Sequence, residues 1–384
     1  MLHCSRCGKQ VQEEALFWRC PCGGPLDWIP DAPMRRSSVL PEEVGMWRYA
    51  SSLPISFPDS RVSLHEGWTP LVPGEWNGLS VFWKLDYLCP TGSYKDRGMA
   101  CLANRLHELG VREVIEDSSG NAGASMAAYC SLAGIRCRVY VPDYTSQGKC
   151  VQIRSYGAEL VRIPGSREDT TRAAESAAQK TYYASHNWSP YFAHGIKTFG
   201  FEVWEQLGFR APDAVLLPAG QGSLVLGWAL AFEELMASGE INRLPRIYAL
   251  QPEHCAPLES AFRKGMDAPD RVEKKETIAE GISSAEPVRG PQVLAAVRRS
   301  GGAILALSEK EIWNGFQALA RRGLYVEPTS AVVAAALEKF VRKDVPENLT
   351  GTPVRKGERI VALLSGSGLK ATDKVLSLYQ APPL

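Results

Sequence analysis

The sequence has no long apolar stretch, no excess of charge of one sign, no internal repeat and no low-complexity segment. Its longest apolar runs, such as Val332 to Leu337, are far too short to cross a bilayer. The 43 lysine and arginine residues nearly balance the 42 aspartate and glutamate residues, which leaves a formal net charge of +1. No basic stripe offers an electrostatic footprint for nucleic acid. We therefore expect neither a membrane protein nor a nucleic-acid-binding protein.

An apolar export signal is also missing from the first ten residues, MLHCSRCGKQ. Ten cysteines in a chain of 384 residues without such a signal favour reduced thiols over a disulfide framework. We therefore expect a cytoplasmic protein. Hydrophobic residues make up 45% of the chain and charged residues 22%, which is ordinary for a chain that buries a core, and the length allows two domains.

Apolar strand-like runs, such as residues 113–116 and 214–217, alternate with small-residue turns and helical patterns after residue 67. This alternation predicts mostly parallel sheets that helices cover on both faces. Ligands bind at the carboxyl ends of the strands in such folds, where loops meet helix N-termini. Three small-residue loops follow predicted strands, and together they favour one shared cofactor site. These loops are Ser118–Gly123, Ala219–Ser223 and Ser365–Gly368.

Four cysteines near the N-terminus have the spacing C-x2-C-x12-C-x-C. Two close pairs separated by a short hairpin-like stretch can bind one tetrahedral Zn²⁺. A metal-free ribbon with reduced thiols is the alternative. The following residues, 31–67, are rich in Pro, Ser and Trp and predict an irregular arm or linker. The candidate metal ligands are Cys4, Cys7, Cys20 and Cys22.

A single lysine at a turn that enters a helix is usually a solvated surface residue, but Lys95 lies in the string PTGSYKDRG. This string resembles the cofactor-lysine motif PTGSFKDRG of threonine synthases and related fold-type II pyridoxal-phosphate enzymes. Three further strings of that family follow in the family's order. Taken alone, they would read as a helix N-cap and two tightly packed turns. They are SSGNAGAS (118–125), PAGQGSLVLG (218–227) and LLSGSGLK (363–370).

The resemblance covers nearly the full length, and it implies a tryptophan-synthase-β-like fold with two open, parallel-type α/β domains and an N-terminal zinc-ribbon-like arm. The arm would be residues 1–30. The large pyridoxal-phosphate domain would comprise residues 31–98 and 208–384, and a smaller α/β domain would comprise residues 99–207. We also expect a homodimer that acts on a small amino-acid substrate.

The resemblance implies a role for each motif. Lys95 would bind pyridoxal phosphate covalently and move protons, and Asn121 would hydrogen-bond the phenolic oxygen of the cofactor. A glycine-rich loop would bind its phosphate through backbone N–H groups, and Ser365 would face its pyridine nitrogen. The implied cofactor-binding residues are Lys95, Asn121, Gly220, Gln221, Gly222, Ser223, Leu224 and Ser365. The implied substrate-binding residues are Ser118, Ser119, Gly120 and Ala122.

Two positions depart from the family pattern. Members carry Thr directly after the cofactor-binding Asn and Arg three residues before the Gly of a G-x-K-T segment, where this sequence has Ala122 and Phe192. The missing hydroxyl and guanidinium are strong donors to a substrate phosphate. His186 and His194 lie near this segment, and we interpret both as structural residues.

Two reactions therefore remain open. The first is a lyase reaction that converts O-phospho-L-homoserine to L-threonine, as in threonine synthase. The second is β-elimination or β-replacement on another amino acid, as in a serine/threonine dehydratase or cysteate synthase. A non-catalytic metabolite-binding paralogue is a third interpretation, against which the presence of Lys95 argues.

Overall fold

Strands and helices alternate along most of the chain in the computed structural model, which describes residues 1–56, 61–343 and 353–381. The chain forms two compact units. The first comprises Met1–Gly67 and Cys89–Thr198, and the second comprises Trp68–Leu88 and Phe199–Leu384. The sequence analysis placed residues 31–67 and 89–98 in the large domain, whereas the structure groups both segments with the first unit. The division into functional domains stays a prediction.

The first unit contains a small antiparallel sheet and a parallel sheet. The small sheet has the order β2-β1-β3, with β1 (Leu2–Cys4), β2 (Gln10–Val11) and β3 (Leu26–Trp28). The parallel sheet has the order β8-β7-β6-β9, with β6 (Glu113–Glu116), β7 (Arg136–Pro142), β8 (Glu159–Ile163) and β9 (Tyr182–Tyr183). Its helices are α1 (Lys95–Glu108), α2 (Asn121–Leu132), α3 (Gln147–Ser155), α4 (Arg167–Ala177) and the first part of α5 (Pro190–Gln206).

The local sequence explains where several of these elements begin and end. Helix α4 starts in a capping box, in which Ser166 and Asp169 bond each other's backbone N–H groups. Helix α2 is rich in alanine and almost entirely buried, which lets it pack closely against both α1 and β7. The described part of residues 31–67 forms short 3₁₀ helices at Arg36–Ser38 and Gly45–Ser52 and no longer element, as the sequence predicts.

The second unit has one six-stranded sheet with the order β12-β11-β10-β13-β5-β4. All neighbouring pairs are parallel except β4 and β5, which form an antiparallel hairpin. The strands are β4 (Leu71–Trp76), β5 (Leu79–Lys84), β10 (Ala214–Pro218), β11 (Arg246–Pro252), β12 (Ala303–Leu307) and β13 (Ile360–Leu363). The helices are α6 (Ser223–Ala237), α7 (Pro257–Arg263), α8 (Gly290–Arg299), α9 (Glu309–Ala320), α10 (Pro328–Arg342) and α11 (Thr372–Gln380).

Burial explains the apolar character of the parallel strands in this sheet. All residues of β10 and β13 are buried, as expected for central strands that helices cover on both faces. The hairpin turns at Asn77 and Gly78, whose φ angles of 48° and 89° both lie in the left-handed region that such two-residue turns require. In the three described ranges, no helix has both the length and the apolar character of a membrane span.

Candidate active site

The loop that ends at Lys95 is held by the carboxylate of the next residue, Asp96. The side chain of Asp96 accepts hydrogen bonds from the Thr91 hydroxyl at 2.6 Å and the Thr91 backbone N–H at 2.7 Å. It also accepts one from the Ser125 hydroxyl at 2.6 Å. Burial raises the pKa of Asp96 to about 6, although these three donors lower it. Asp96 thus joins the first turn of α1, which carries Lys95, to the first turns of α2.

Lys95 itself is half-buried, and its surroundings are polar and aromatic. Its Nζ atom lies 4.7 Å from the centre of the Tyr94 ring and 5.4 Å from that of the Phe192 ring. Two residues earlier in the loop, the side chain of Ser93 is fully buried, and its Oγ atom has no hydrogen-bond partner among the described residues. A buried hydroxyl without a hydrogen-bond partner lowers the stability of the folded protein. The Ser93 hydroxyl therefore marks a position where a bound group can accept or donate a hydrogen bond.

The predicted substrate loop lies at the carboxyl end of β6, directly before α2. Gly120 is the N-cap of this helix, and its N–H group donates to the Ser118 hydroxyl at 3.3 Å. A Cβ atom on Gly123 would overlap the Ser118 carbonyl oxygen, so this tight turn requires glycine. The loop therefore presents the N-terminus of a 12-residue helix, an arrangement that binds anions such as carboxylates.

A buried cluster of titratable side chains, which the sequence analysis did not predict, lies at the same end of β6. Glu116 is fully buried, and its Oε1 atom lies 2.9 Å from Nδ1 of His186. The next residue, Asp117, accepts from the Arg167 guanidinium at 2.9 Å and from the Thr171 hydroxyl at 2.8 Å. These contacts keep the pKa of Asp117 below its ordinary value against the effect of burial. Asp117 is therefore an anion at neutral pH.

Phe192, one of the two departures from the family pattern, is completely buried. A Cβ atom on Gly98 would overlap its ring, so helix α1 and helix α5 approach closely because Gly98 has no side chain. The Phe192 ring also packs edge-on against the His186 imidazole, with 5.7 Å between ring centres. A buried aromatic ring therefore lies beside Lys95 where the family carries a guanidinium.

In the second unit, the predicted phosphate loop connects β10 to α6. Gly222 is the N-cap of α6 with a φ angle of 87°, and a Cβ atom there would overlap Val293. A Cβ atom on Gly220 would lie 2.8 Å from the backbone of Ile282. The side-chain NH₂ group of Gln221 donates to the Ser284 hydroxyl at 2.7 Å. The first N–H groups of a helix have no acceptor within it, so this loop suits a phosphate group.

Ser365 follows β13, the neighbour of β10 in the same sheet, and its hydroxyl is tied to Ser330. The Ser330 oxygen accepts from the backbone N–H groups of Ser365 and Gly366, both at 3.0 Å. It lies 2.9 Å from the Ser365 hydroxyl oxygen. Because these two N–H groups occupy both acceptor positions of Ser330, its own proton points either to the Ser365 oxygen or to the Gly366 carbonyl oxygen at 3.4 Å. The Ser365 O–H group is then left as a neutral donor.

The four N-terminal cysteines form the only cluster with metal-ligand character in the described ranges. Their sulfur atoms all lie within 4.8 Å of one another, and each of the ten cysteines is a free thiol. Burial opposes ionisation of Cys4, but the backbone N–H groups of Cys7 and Arg6 lower its pKa to about 7. Four thiols that converge on one point fit a tetrahedral Zn²⁺.

The ribbon that carries these cysteines is anchored to the rest of the first unit. The carboxylate of Glu13 accepts from the Arg105 guanidinium at 2.9 Å and from the Tyr191 hydroxyl at 2.8 Å. Nε2 of His194 bonds the Trp28 carbonyl oxygen at 2.9 Å. His194 therefore makes a structural contact, as predicted. These bonds attach the cysteine ribbon to helix α1 at Arg105 and to helix α5 at Tyr191 and His194.

The structure thus brings the predicted residues together in two groups, one in each unit. Within the first unit, Asp96 links the Lys95 loop to the helix that begins at Asn121. Within the second, the phosphate loop and Ser365 follow adjacent parallel strands. Sequence reasoning missed Glu116, Asp96 and Ser330, although Asp96 belongs to the lysine motif. The binding roles of all these residues stay predictions.

Comparison with known proteins identifies the group to which this arrangement belongs. Residues 62–366 match the family described as pyridoxal-phosphate dependent enzyme. The chain is 33% identical over 392 residues to a threonine synthase of Methanocaldococcus jannaschii, covering 99% of this chain and 95% of that protein. A threonine synthase of Methanosarcina acetivorans is 31% identical over 393 residues, with the same coverage. The solved structure of threonine deaminase isoform 2 from Solanum lycopersicum shares the fold, with a TM-score of 0.68 at 22% identity, and covers 82% of this chain and 88% of that chain.

The chain belongs to the family of pyridoxal-phosphate-dependent enzymes. Within that family it is a threonine-synthase-like lyase, because its likeness to threonine synthases extends over almost the whole length of both chains. The prediction of the family and of the fold-type II architecture is therefore confirmed.

Proposed function

We propose that the protein catalyses elimination or replacement at the β or γ carbon of an amino acid. Conversion of O-phospho-L-homoserine to L-threonine is the reaction of the threonine synthases, which it resembles best. The observation that carries this proposal is the position of Lys95 at the start of α1, which Asp96 links to Ser125 in the helix that begins at Asn121. A helix N-terminus that is linked in this way to the amine-bearing loop suits an amino-acid substrate, whose carboxylate that helix would receive.

The described residues fit pyridoxal phosphate. We propose that the loop Gly220–Leu224 binds its phosphate, that Lys95 bonds its aldehyde carbon, and that Asn121 bonds its phenolic oxygen. Bound in this way, the cofactor supplies an electron sink for negative charge that develops at the Cα atom of the substrate. The free O–H proton of Ser365 would point to the pyridine nitrogen, where a neutral donor leaves that nitrogen unprotonated.

The chain's own residues would perform the proton transfers. Lys95 would take the Cα proton and return protons to later positions of the carbon chain. Ser118, Ser119, Gly120 and Ala122 would hold the substrate carboxylate. Ala122 has no hydroxyl and Phe192 no charge, so neither provides the donors that a substrate phosphate needs. This observation favours the second candidate, β-elimination or β-replacement on a serine- or threonine-like substrate.

Uptake of pyridoxal phosphate by the purified protein tests the cofactor assignment. The wild type should retain the cofactor and its visible absorption, and after borohydride reduction mass spectrometry should find it on Lys95. Lys95→Ala should lose this adduct, whereas Lys180→Ala, which removes an exposed lysine of the same unit, should keep it. A wild type that takes up no cofactor would contradict the proposal.

The products separate the two candidate reactions. Release of phosphate and formation of threonine from O-phospho-L-homoserine would support the threonine synthase reaction. Release of ammonia and an oxo acid from L-serine or L-threonine, without phosphate release from the first substrate, would support β-elimination. If no amino acid is turned over by a protein that binds the cofactor, the non-catalytic interpretation holds.

We further propose that Cys4, Cys7, Cys20 and Cys22 bind one structural Zn²⁺, since a site closed by four thiolates leaves no open position for substrate. Cytoplasmic location and a homodimeric state stay predictions, and light scattering of the purified protein tests the latter.

A further inference from the structure

His186 is held in a fixed orientation by Glu116. The Nδ1 atom of its ring lies 2.9 Å from Oε1 of Glu116, and its backbone N–H donates to Oε2 at 3.3 Å. The Phe192 ring packs on the imidazole from α5. Two hydrogen bonds to one buried carboxyl group and one aromatic contact restrict both the rotation and the position of the ring.

The charges around this pair favour a neutral imidazole. Burial and then the charge of Lys95 lower the pKa of His186 well below its ordinary value. Burial and then the neighbouring Asp117 raise the pKa of Glu116 well above its ordinary value, although Arg167 and Lys95 act against this. Oε2 of Glu116 accepts the His186 backbone N–H, so the proton of a neutral Glu116 belongs on Oε1, from which it donates to Nδ1. A neutral imidazole then carries its own proton on Nε2.

The Nε2–H group of His186 is available to a ligand. Its atom Nε2 has no hydrogen-bond partner among the described residues, and the side chain is 10% exposed. The centre of the Phe192 ring lies 5.7 Å from the centre of the imidazole and 5.4 Å from Nζ of Lys95. His186 and Lys95 therefore pack on the same aromatic ring, which places a donor without a protein partner in the neighbourhood of Lys95.

We propose that His186, oriented by Glu116, is a further substrate-binding residue that donates a hydrogen bond from Nε2 to an uncharged side-chain oxygen of the amino-acid substrate. This inference rests on the proposed function, because Lys95 marks the place of the reaction. A neutral donor beside an aromatic ring binds a hydroxyl group without the charge that a phosphate dianion requires. The substrate class would then be β- or γ-hydroxy amino acids.

Two ligands that differ in one hydroxyl group test the proposal. L-Threonine and L-2-aminobutyrate share every other atom position, and their dissociation constants can be measured by stopped-flow titration of the cofactor absorption of the holoenzyme. We expect the wild type to bind L-threonine about tenfold more tightly, as one hydrogen bond allows. In His186→Leu this preference should fall to about one.

Two further variants identify the protonation state of the His186–Glu116 pair. His186→Gln keeps an N–H donor near the position of Nε2 and should retain part of the preference. Glu116→Gln keeps a donor to Nδ1 and should also retain it. An unchanged preference in His186→Leu with cofactor uptake intact would overturn the proposal. Loss of the preference in Glu116→Gln would equally overturn it, because an ionised Glu116 would then be required.

A measurement without cofactor keeps the proposal separate from the proposed function. Nitrogen-15 spectra of histidine-labelled, cofactor-free protein, assigned with His186→Gln, should show a neutral imidazole with its proton on Nε2 between pH 6 and pH 8. An imidazolium, or a proton on Nδ1 with Nε2 bare, would overturn the proposal even if His186→Leu does not fold. Failure of the wild type to take up pyridoxal phosphate would instead contradict the proposed function.

Discussion

At the scale of the residue, Asp96 shows how one buried carboxylate fixes a reactive neighbour. It accepts three hydrogen bonds from Thr91 and Ser125 and is completely shielded from solvent. The segment before Lys95 and the helix that begins at Asn121 therefore share one acceptor. The relative position of the Lys95 motif and the Asn121 motif therefore depends on Asp96, a residue to which the sequence analysis gave no role.

We expect Asp96→Ala to lower the free energy of unfolding by about 2–3 kcal/mol, because the Thr91 N–H group and the Thr91 and Ser125 hydroxyls would lose their acceptor. Urea denaturation of the cofactor-free protein measures this loss. Asp143→Ala, at an exposed carboxylate of the same unit, is the matched control and should change little. Equal losses in the two variants would show that Asp96 does not anchor the loop.

Single residues also show where sequence reasoning ends. The motif around Lys95 identified the lysine because its letters are distinctive. Glu116 and His186 are 70 positions apart and carry no shared pattern, so only the parallel pairing of β6 with β9 brings them together. The bond between Ser330 and Ser365 spans 35 residues and depends on where α10 starts, which none of the four motifs indicates.

At the scale of the element, the start of α6 combines two requirements at Gly222. The residue has a φ angle of 87°, and a side chain there would meet Val293. Gly239, after the end of the same helix, has a similar φ of 78° but open space around its Cα atom. Both positions therefore require a left-handed backbone conformation, but only Gly222 also lacks the space for a side chain.

We expect Gly222→Ala to weaken pyridoxal-phosphate binding by at least tenfold and to lower the thermal midpoint, since the loop must move to relieve the overlap with Val293. Gly239→Ala should lower the free energy of unfolding only through its left-handed backbone conformation, by roughly 1 kcal/mol, and the midpoint accordingly. It should leave cofactor binding unchanged. Equilibrium dialysis and thermal unfolding measure the two effects. If both variants bind the cofactor equally well, the loop is not its phosphate site.

The N-terminal ribbon is the second element with a testable role. We expect about one zinc per chain in elemental analysis, and loss of this zinc in a Cys20→Ser/Cys22→Ser variant. Cofactor uptake should persist there, because Lys95 and the phosphate loop do not touch the sulfur atoms. The matched control, Cys255→Ser, replaces a cysteine outside the cluster and should keep the metal. Unchanged zinc content in the double variant would refute the assignment.

Most elements of the parallel sheets were predictable because their strands are apolar and bounded by small residues. The predicted strand at residues 113–116 coincides with β6, and the one at residues 214–217 is one residue shorter than β10. The hairpin β4–β5 was missed although Asn77-Gly78 is a strong turn signal, and only tertiary pairing with β13 places it in the large sheet. The assignment of residues 31–67 to one unit has no local signal, because it depends on contacts such as that between Val62 and Asn104.

At the scale of the whole molecule, the buried His186 links stability to pH. Its pKa in the folded state lies well below the ordinary value, so the unfolded chain binds a proton that the folded chain refuses. Stability is therefore lost as the pH falls below about 6.5, down to the folded-state pKa. Relative to His186→Gln, the wild type should lose up to about 1.4 kcal/mol per pH unit in this window.

Urea denaturation of both proteins between pH 5 and pH 8 measures the difference. His65→Gln, at an exposed histidine, is the control and should follow the wild type. Parallel curves for wild type and His186→Gln would mean that the imidazole is already protonated in the folded protein.

The strand order of the large sheet has a consequence for the order in which the protein is made. Strand β13 lies between β10 and β5, yet the ribosome synthesises it after all the other strands. Until residue 363 has emerged, the β4–β5 hairpin and the group β10–β11–β12 each expose an unpaired edge, and no local contact joins them. The centre of the sheet is thus the last part to form. From the synthesis of β10 until that of β13, the nascent chain carries two unpaired strand edges that can pair with other chains.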